Sequence, residues 1–540
     1  MKFQLPTFSL LLLYLLLAQL TITAQTADII ITNGKVFTSD ISKLYVQAIA
    51  IKGNKIIASG TNEAILKFAD SKTKKIDVQG KTVVPGFNDA HDHPGWLAHI
   101  GKFFNQNPDL NSHGLSKSAV LDSIALMLKQ AKPGEWIHGF IGTDVFFDTS
   151  MRASLDSMAP GNPVALQIWW GHGIVLNQKA LEKSGLSDEN NDPVGGWYIR
   201  NNSNKITSLQ QNAQAPVWIA LYESEPANLI KGLRAFSQEQ LSGGITSVQF
   251  MGTGLKAKDA EEEFGKANLP QRIRIMKWQR TTAAGRQSSD WNMKGIKSTP
   301  LFTISGVKYV IDGTPMEGNS LHKKASLSPG EKNGRLNYSI DTMKQIFKEA
   351  LNSNDQLMMH ITGDSSFEVV LSLIQQTASA EEFTSKRIRV EHNCVGPVSD
   401  VQKSVLKKYN ILMMHTPKYC QASPLRSLYN YGVVIGISPD GTTNPFFDIM
   451  MCTSMQSDPS ENLTREQAVI AYTKNNAYAE FKEKEKGTLM PGMLADLAVL
   501  SQDIFTVPPG QLPATKSILT MIDGKIMYED KKEESQASIK

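Results

Sequence analysis

Eight short apolar runs, each separated from the next by a helix-like stretch, constrain this chain more than any other feature. They fall at 82–91, 245–250, 272–277, 307–311, 356–360, 387–392, 411–415 and 433–438. Strands alternating with helices are the habit of a parallel α/β structure, and eight is the number that closes a (β/α)8 TIM-like barrel. One connection is abnormal, because about 150 residues separate the first run from the second, far more than a usual βα loop. Residues 94–227 are therefore expected to form an inserted subdomain, and the run 164–168 is assigned to it, since a ninth barrel strand would be one too many. An insertion after the first strand emerges at the barrel's C-terminal face, where active sites lie. It is placed to cap the site. Its Trp169, Trp170, Trp197 and Trp218 suit either an apolar or aromatic substrate group or the subdomain's own core.

The two ends of the chain read alike. Residues 29–60 contain strand-like runs joined by Asn-Gly and Gly-Asn turns, and similar runs return at 494–500 and 517–528. This predicts a small β-sandwich assembled from 25–82 and 484–530, flanking a hydrolase barrel at 83–483. Lys2, the apolar run 10–20 and the small-residue stretch before Gln25 describe a secretory signal peptide over 1–24. The run is short for a bilayer span, and no cysteine near it offers a lipid anchor. The expectation is a protein exported to the periplasm or secreted, with no stable membrane insertion after cleavage. Residues 531–540 are charged and polar and are expected to be a disordered tail.

The formal charge of +4 comes from scattered lysines and arginines, which excludes a nucleic-acid footprint. Cys394, Cys420 and Cys452 are an odd and widely spaced set. They are expected as small buried hydrophobes, not a disulfide framework.

The chemistry gathers at strand ends. Val83-Val84-Pro85-Gly86-Phe87 leads into Asn88-Asp89-Ala90-His91-Asp92-His93. Residues two apart on a strand share a face, so His91 and His93 suit one metal ion. Lys308 lies in the apolar run Val307–Ile311, where a buried ammonium must shift its pKa, pair or be modified; an outward, snorkelling lysine is the bland alternative. His360 and His392 end successive strand candidates, and Asp440 follows the eighth. Singly, each is more often a structural histidine or a turn aspartate. Together they form a ligand set.

With these motifs, with 241–248 (Leu-Ser-Gly-Gly-Ile-Thr-Ser-Val) and with 487–500 (Gly-Thr-Leu-Met-Pro-Gly-Met-Leu-Ala-Asp-Leu-Ala-Val-Leu), the chain resembles the YtcJ-like branch of the amidohydrolase superfamily. The likeness covers about residues 29–528. It implies that His91 and His93 bind one divalent ion, that Lys308 is carboxylated and bridges two, and that His360 and His392 bind the second. Asp440 would be ligand and general acid/base. Two zinc ions are expected, with manganese or iron as alternatives. His172 resembles a segment near the site in this branch, and is a candidate to steady an oxyanion. Asp312 and Gly313 are candidates to shape the substrate-binding loop. His99, His113, His138, His322 and His415 are read as structural, His415 least safely because it ends the seventh strand candidate. The implied function is hydrolysis of a C–N bond, in an amide, N-formyl or cyclic amide, of a small molecule. The alternatives are a deaminase on the same scaffold and a catalytically silent barrel with a binding or regulatory role. The likeness is compatible with a homo-oligomer.

Overall fold

The computed structural model describes residues 26–93, 101–104, 113–287, 291–327, 332–441 and 443–530. The signal peptide and tail assignments, and His99, lie outside the described residues.

Eight parallel strands stand side by side in chain order: β1 (Phe87–Asp92), β2 (Ile245–Gly252), β3 (Arg272–Trp278), β4 (Phe302–Val310), β5 (Leu357–His360), β6 (Arg389–His392), β7 (Leu412–His415) and β8 (Ile435–Ile437). The barrel is nearly closed. At the seam between β8 and β1, Asp440 N donates to His91 O at 3.0 Å. Asn476 Nδ2 donates to both Asn88 O (2.7 Å) and Ile437 O (2.6 Å). A side chain thus completes what the strand ladder leaves open.

The apolar run 82–91 is two strands, not one. Thr82–Pro85 pairs with Leu497–Leu500 and Lys35–Phe37 outside the barrel, and β1 begins only at Phe87. Gly86 separates them, because a Cβ there would lie 2.2 Å from Thr246 Oγ1. Both strands are buried along their whole length, so neither shows the in–out alternation that would set it apart.

Thr82–Pro85 belongs to a six-stranded sheet that faces a four-stranded one containing Ile29–Thr32, Ala48–Lys52, Lys55–Gly60 and Lys74–Asp77. Ile31, Ile49 and Ile56 from one sheet pack with Val83, Leu497, Val499 and Met521 from the other. This is a β-sandwich built from both chain ends. The insertion after β1 carries its own six-stranded sheet, in which Val164–Ile168 lies between Ile137–Ile141 and Gly173–Leu176. Trp169 and Trp170 pack in the insertion's core, and Trp218 packs in the main core shared with the barrel. Trp197 lies under the Arg335 guanidinium, 3.6 Å from the ring centroid. Trp169, Trp170 and Trp218 thus serve as packing groups, one of the two uses the sequence suggests.

The barrel interior is polar. Arg389, with no exposed surface, donates to Glu391 Oε1 (2.7 Å) and Oε2 (3.0 Å), to Gln249 Oε1 (2.7 Å) and to Ala90 O (2.7 Å). Deeper, Asn88 Nδ2 donates to Glu480 Oε1 at 2.6 Å, and Glu480 pairs with Lys486 at 2.6 Å. The chain returning to the sandwich therefore plugs the barrel floor with a paired charge, and the polar Asn88 is its partner.

The cysteines correct the expectation drawn for them. Cys394 and Cys420 form a disulfide with Cα atoms 4.9 Å apart, and Cys452 alone is a free buried thiol. The two follow β6 and β7, which are neighbours in the barrel, so 26 residues of sequence separation become adjacency. Among the described residues no helix is long and apolar enough to cross a membrane.

Candidate metal centre

The C-terminal ends of β1, β4, β5, β6 and β8 converge on one place. β1 reaches it through a bulge: Val248 pairs with Asp89 and Phe250 with Asp92, so Ala90 and His91 together oppose Gln249. A bulge of this kind re-aims side chains at a strand end. It leaves His91 and His93 on the same side of the barrel mouth, with Asp92 turned back to accept from His93 N at 2.7 Å.

Asp440 is the hub. Its Oδ1 lies 3.8 Å from His91 Nε2 and 3.6 Å from His93 Nε2, and its Oδ2 lies 3.6 Å from His392 Nδ1. Donor atoms of His91, His93 and Asp440 all fall within 4.8 Å of one another. Lys308 Nζ sits 3.5 Å from His91 Nε2. The His392 ring centroid is 4.9 Å from that of His91 and 4.2 Å from that of His360. All six expected side chains are therefore brought together. His392 arrives there by a break in alternation. Arg389 and Glu391 face the interior, and left-handed backbone at His392 (φ 79°) and Asn393 (φ 52°) ends the strand's regular pattern.

Each imidazole also contacts a neighbouring polar group, His392 through the same Nδ1 that faces Asp440. His91 Nδ1 donates to Glu391 Oε2 (2.7 Å), and His93 Nδ1 meets Thr253 Oγ1 (3.2 Å). His392 Nδ1 meets Thr416 Oγ1 (3.0 Å), and His360 Nε2 donates to Gly313 O (3.3 Å). Second contacts of this type fix the tautomer and orientation of a metal-ligating ring. No local sequence pattern identifies which residues supply these contacts. Glu391 had a signal, since Arg389 and Glu391 two apart in an apolar strand must share one buried face.

Burial sets the charges. It holds His91, His360 and His392 well below the ordinary imidazole value and His93 at about 3, with the Lys308 charge adding to the effect. Neutral imidazole is the form that ligates. Burial also lowers Lys308 to about 8, against the pull of Glu391 and Asp440. It raises Asp440 to about 6, against Lys308 and His172. A largely buried cluster of neutral nitrogens, open to solvent at His93 and Asp440, with a carboxylate and a lysine of depressed basicity fits a divalent cation of the zinc type.

Trp278, not anticipated, adds an aromatic wall 6.1 Å from the His93 ring. His172 reaches the site from the insertion, its ring 4.7 Å from that of His360. Asp312 acts on the loops beside the site from within. It has no exposed surface, and it accepts from Thr362 N (3.0 Å), Gly363 N (2.9 Å), Leu321 N (3.2 Å) and Ser366 Oγ (2.8 Å). Burial raises its carboxyl to about 7 while these donors oppose the shift. It ties the loops after β4 and β5 together, and Gly313 presents its carbonyl to His360. His113, His138 and His322 lie outside the cluster. His415 is buried on β7 with neither ring nitrogen hydrogen-bonded among the described residues.

A barrel with metal-binding side chains at its mouth, a sandwich from both chain ends and an insertion over the site define a metal-dependent hydrolase of the amidohydrolase class. The amidohydrolase family profile matches residues 74–528, and the chain belongs to that family. It is 26% identical to the protein LONG AFTER FAR-RED 3 of Arabidopsis thaliana, over 93% of this chain and 92% of that one. It is 24% identical to an N-substituted formamide deformylase of Arthrobacter pascens (94% and 99% covered). It is 23% identical to the putative amidohydrolase YtcJ of Bacillus subtilis (89% and 96%). Among solved structures, an uncharacterized metal-dependent hydrolase from Pyrococcus horikoshii superposes with a TM-score of 0.66 at 19% identity, covering 89% of this chain and 99% of that one.

Proposed function

We propose that the protein hydrolyses a C–N bond in a small amide, with N-formyl compounds as the first candidates, using two divalent ions, zinc by preference. The observation that carries this reading is the Asp440 carboxylate, 3.6–3.8 Å from three imidazoles beside a buried lysine. The full-length likeness to a formamide deformylase favours the N-formyl class. His91 and His93 would hold one ion and His360 and His392 the other. Lys308, made nucleophilic by its lowered basicity, would be carboxylated and bridge the two. When bound, such ions supply Lewis acidity, lowering the pKa of a water and polarising a carbonyl. Asp440 takes the water's proton and passes it to the departing nitrogen, a role that a carboxyl lifted towards neutrality suits. His172 would donate to the carbonyl oxygen of a substrate bound there as charge develops on it. Trp278 walls the site beside His93.

Export to an oxidising compartment is part of the proposal. The N-terminal apolar run and the Cys394–Cys420 disulfide support it, because such bonds persist outside the cytosol.

The test is turnover of a panel of N-formyl, N-acyl and cyclic amides by protein reconstituted with zinc, manganese or iron, alongside elemental analysis. Amine or acid release that depends on added metal is expected. Ammonia release from amino-heterocycles would favour a deaminase instead. Neither bound metal nor metal-stimulated activity would favour a silent barrel.

A further inference from the structure

One carboxylate joins the insertion to the barrel beside the metal centre. Glu317 lies on the short turn Pro315–Glu317 after β4, and its side chain is almost wholly buried (1% exposed). Its Oε1 accepts from three donors: His172 Nδ1 at 3.0 Å, Gln211 Nε2 at 2.8 Å and Thr314 N at 2.7 Å. Two of these come from the insertion and one from the barrel loop. Gly313 makes the approach possible, because a Cβ there would stand 2.1 Å from Glu317 Oε1. The same Gly313 offers its carbonyl to His360. One loop therefore sets both rings, His172 and His360, that stand 4.7 Å apart.

The insertion commits structure to the same point. His172 sits between Gly171 (φ 87°) and Gly173, where a Cβ would strike Phe146 at 2.3 Å. Gly171 O accepts from Gln167 Nε2 (3.1 Å) and Gln214 Nε2 (2.9 Å), and His172 O accepts from Gln211 N (2.9 Å). Gln211 adopts φ 53°, which is uncommon for a residue with a side chain. With Nδ1 held by Glu317, Nε2 is the nitrogen left for the site, and it makes no hydrogen bond among the described residues. A ring fixed through one nitrogen by a buried carboxylate, with the other presented to the reaction, is the arrangement by which a third group orients an active imidazole.

We infer that Glu317 is a positioning residue for His172, so that the insertion supplies part of the working site and does not merely cover it. The inference rests on the hydrolase reading for what His172 does, and on geometry alone for how it is held.

The experiment compares wild type with H172A, E317A, E317Q and the double variant H172A/E317A. The readouts are kcat and KM on the best panel substrate, metal content, melting temperature, and the ring ¹⁵N shifts of His172 in histidine-labelled protein. E317A and H172A should each lower kcat by about 10²-fold, with KM within a few-fold and metal content unchanged. The double variant should be no worse than H172A, because Glu317 acts through that ring. E317Q, which keeps an acceptor, should recover most of the loss. The Nδ1 signal should move from its hydrogen-bonded position in E317A. Multiplicative losses in the double variant, or an Nδ1 signal indifferent to E317A, would overturn the inference. If wild-type protein turns over nothing on the panel, the hydrolase reading fails by itself, and the ¹⁵N comparison still decides whether Glu317 fixes the ring. Should E317A not fold, E317Q makes the decision: an Nδ1 signal displaced from wild type but still hydrogen-bonded supports the contact, and one unchanged from wild type overturns the inference.

Discussion

His91 and His392 need the same thing, a ring that cannot turn, and the two sides of the barrel mouth provide it by different physics. His91, on β1, donates to Glu391, which reaches it from β6 and is bound in turn by Arg389 of the same strand, and both charges are fully buried. On the β6–β7 side, His392 meets the neutral hydroxyl of Thr416. There a disulfide, not an ion pair, joins the loops. A buried ion pair is costly to break from one side, because the survivor is left as an uncompensated charge. A hydroxyl contact is not. The Glu391 contact to His91 thus couples metal binding to folding, whereas the Thr416 contact to His392 keeps the two separable.

The largest effect comes from removing a ligand outright, and it sets the ceiling for the comparison. His91→Ala or Asp440→Asn should lower turnover by at least about 10³-fold, with the far-UV circular dichroism of wild type. Turnover retained in either variant removes that residue from its role. Next, Glu391→Gln strands Arg389 and should cost about 3–5 kcal/mol of stability, together with a 10–100-fold loss of metal affinity, roughly the range for such supporting contacts. Denaturant melts and metal titration read both. Cys394→Ser opens a loop of 26 residues and should cost about 3 kcal/mol with metal content intact. Parallel loss of metal would show that the disulfide, like Glu391, sets the ligands. Thr416→Val should weaken metal binding by about tenfold at most, with about 1 kcal/mol of stability lost. If it matches Glu391→Gln in both readouts, the proposed difference between the two sides is wrong.

The smallest expected effect is a control far from the mouth. Glu263, on the helix Ala257–Ala267, is raised to about 8 by burial, and its Oε2 has no partner among the described residues. The unfolded chain releases this proton near the ordinary value of 4.5 while the folded protein keeps it. Its contribution to stability is therefore complete below about pH 4.5 and declines as pH rises towards 8. Glu263→Gln should flatten stability across that window without touching metal content. A pH profile unchanged by the substitution would reassign the slope to other groups.

What the sequence discloses follows from the range of each interaction. His91, His93, His360 and His392 were legible because strand ends recur at regular intervals, and a barrel gathers strand ends. Lys308 was legible because a charge in an apolar strand needs a reason. The Glu391–His91 contact was not, since 300 residues separate the partners and no local pattern links them. The Cys394–Cys420 bridge was misread for the same cause: their spacing carries no meaning until β6 and β7 are known to be neighbours. Residues 82–91 were merged because two buried strands in different sheets look like one. The four donors that enclose Asp312 are not legible either, since its sequence position gives no sign of them.

The central claim is that His91, His93, Lys308, His360, His392 and Asp440 surround a shared cation pair. Anomalous diffraction at the metal edge, from crystals of zinc-reconstituted protein, tests it most directly. The account predicts two peaks, one about 2.0–2.1 Å from the ring nitrogens of His91 and His93 and one beside His360 and His392, with added density on Lys308 Nζ between them. A fully ordered site with no anomalous peak, or with an unmodified Lys308 ammonium turned away from both positions, would contradict it.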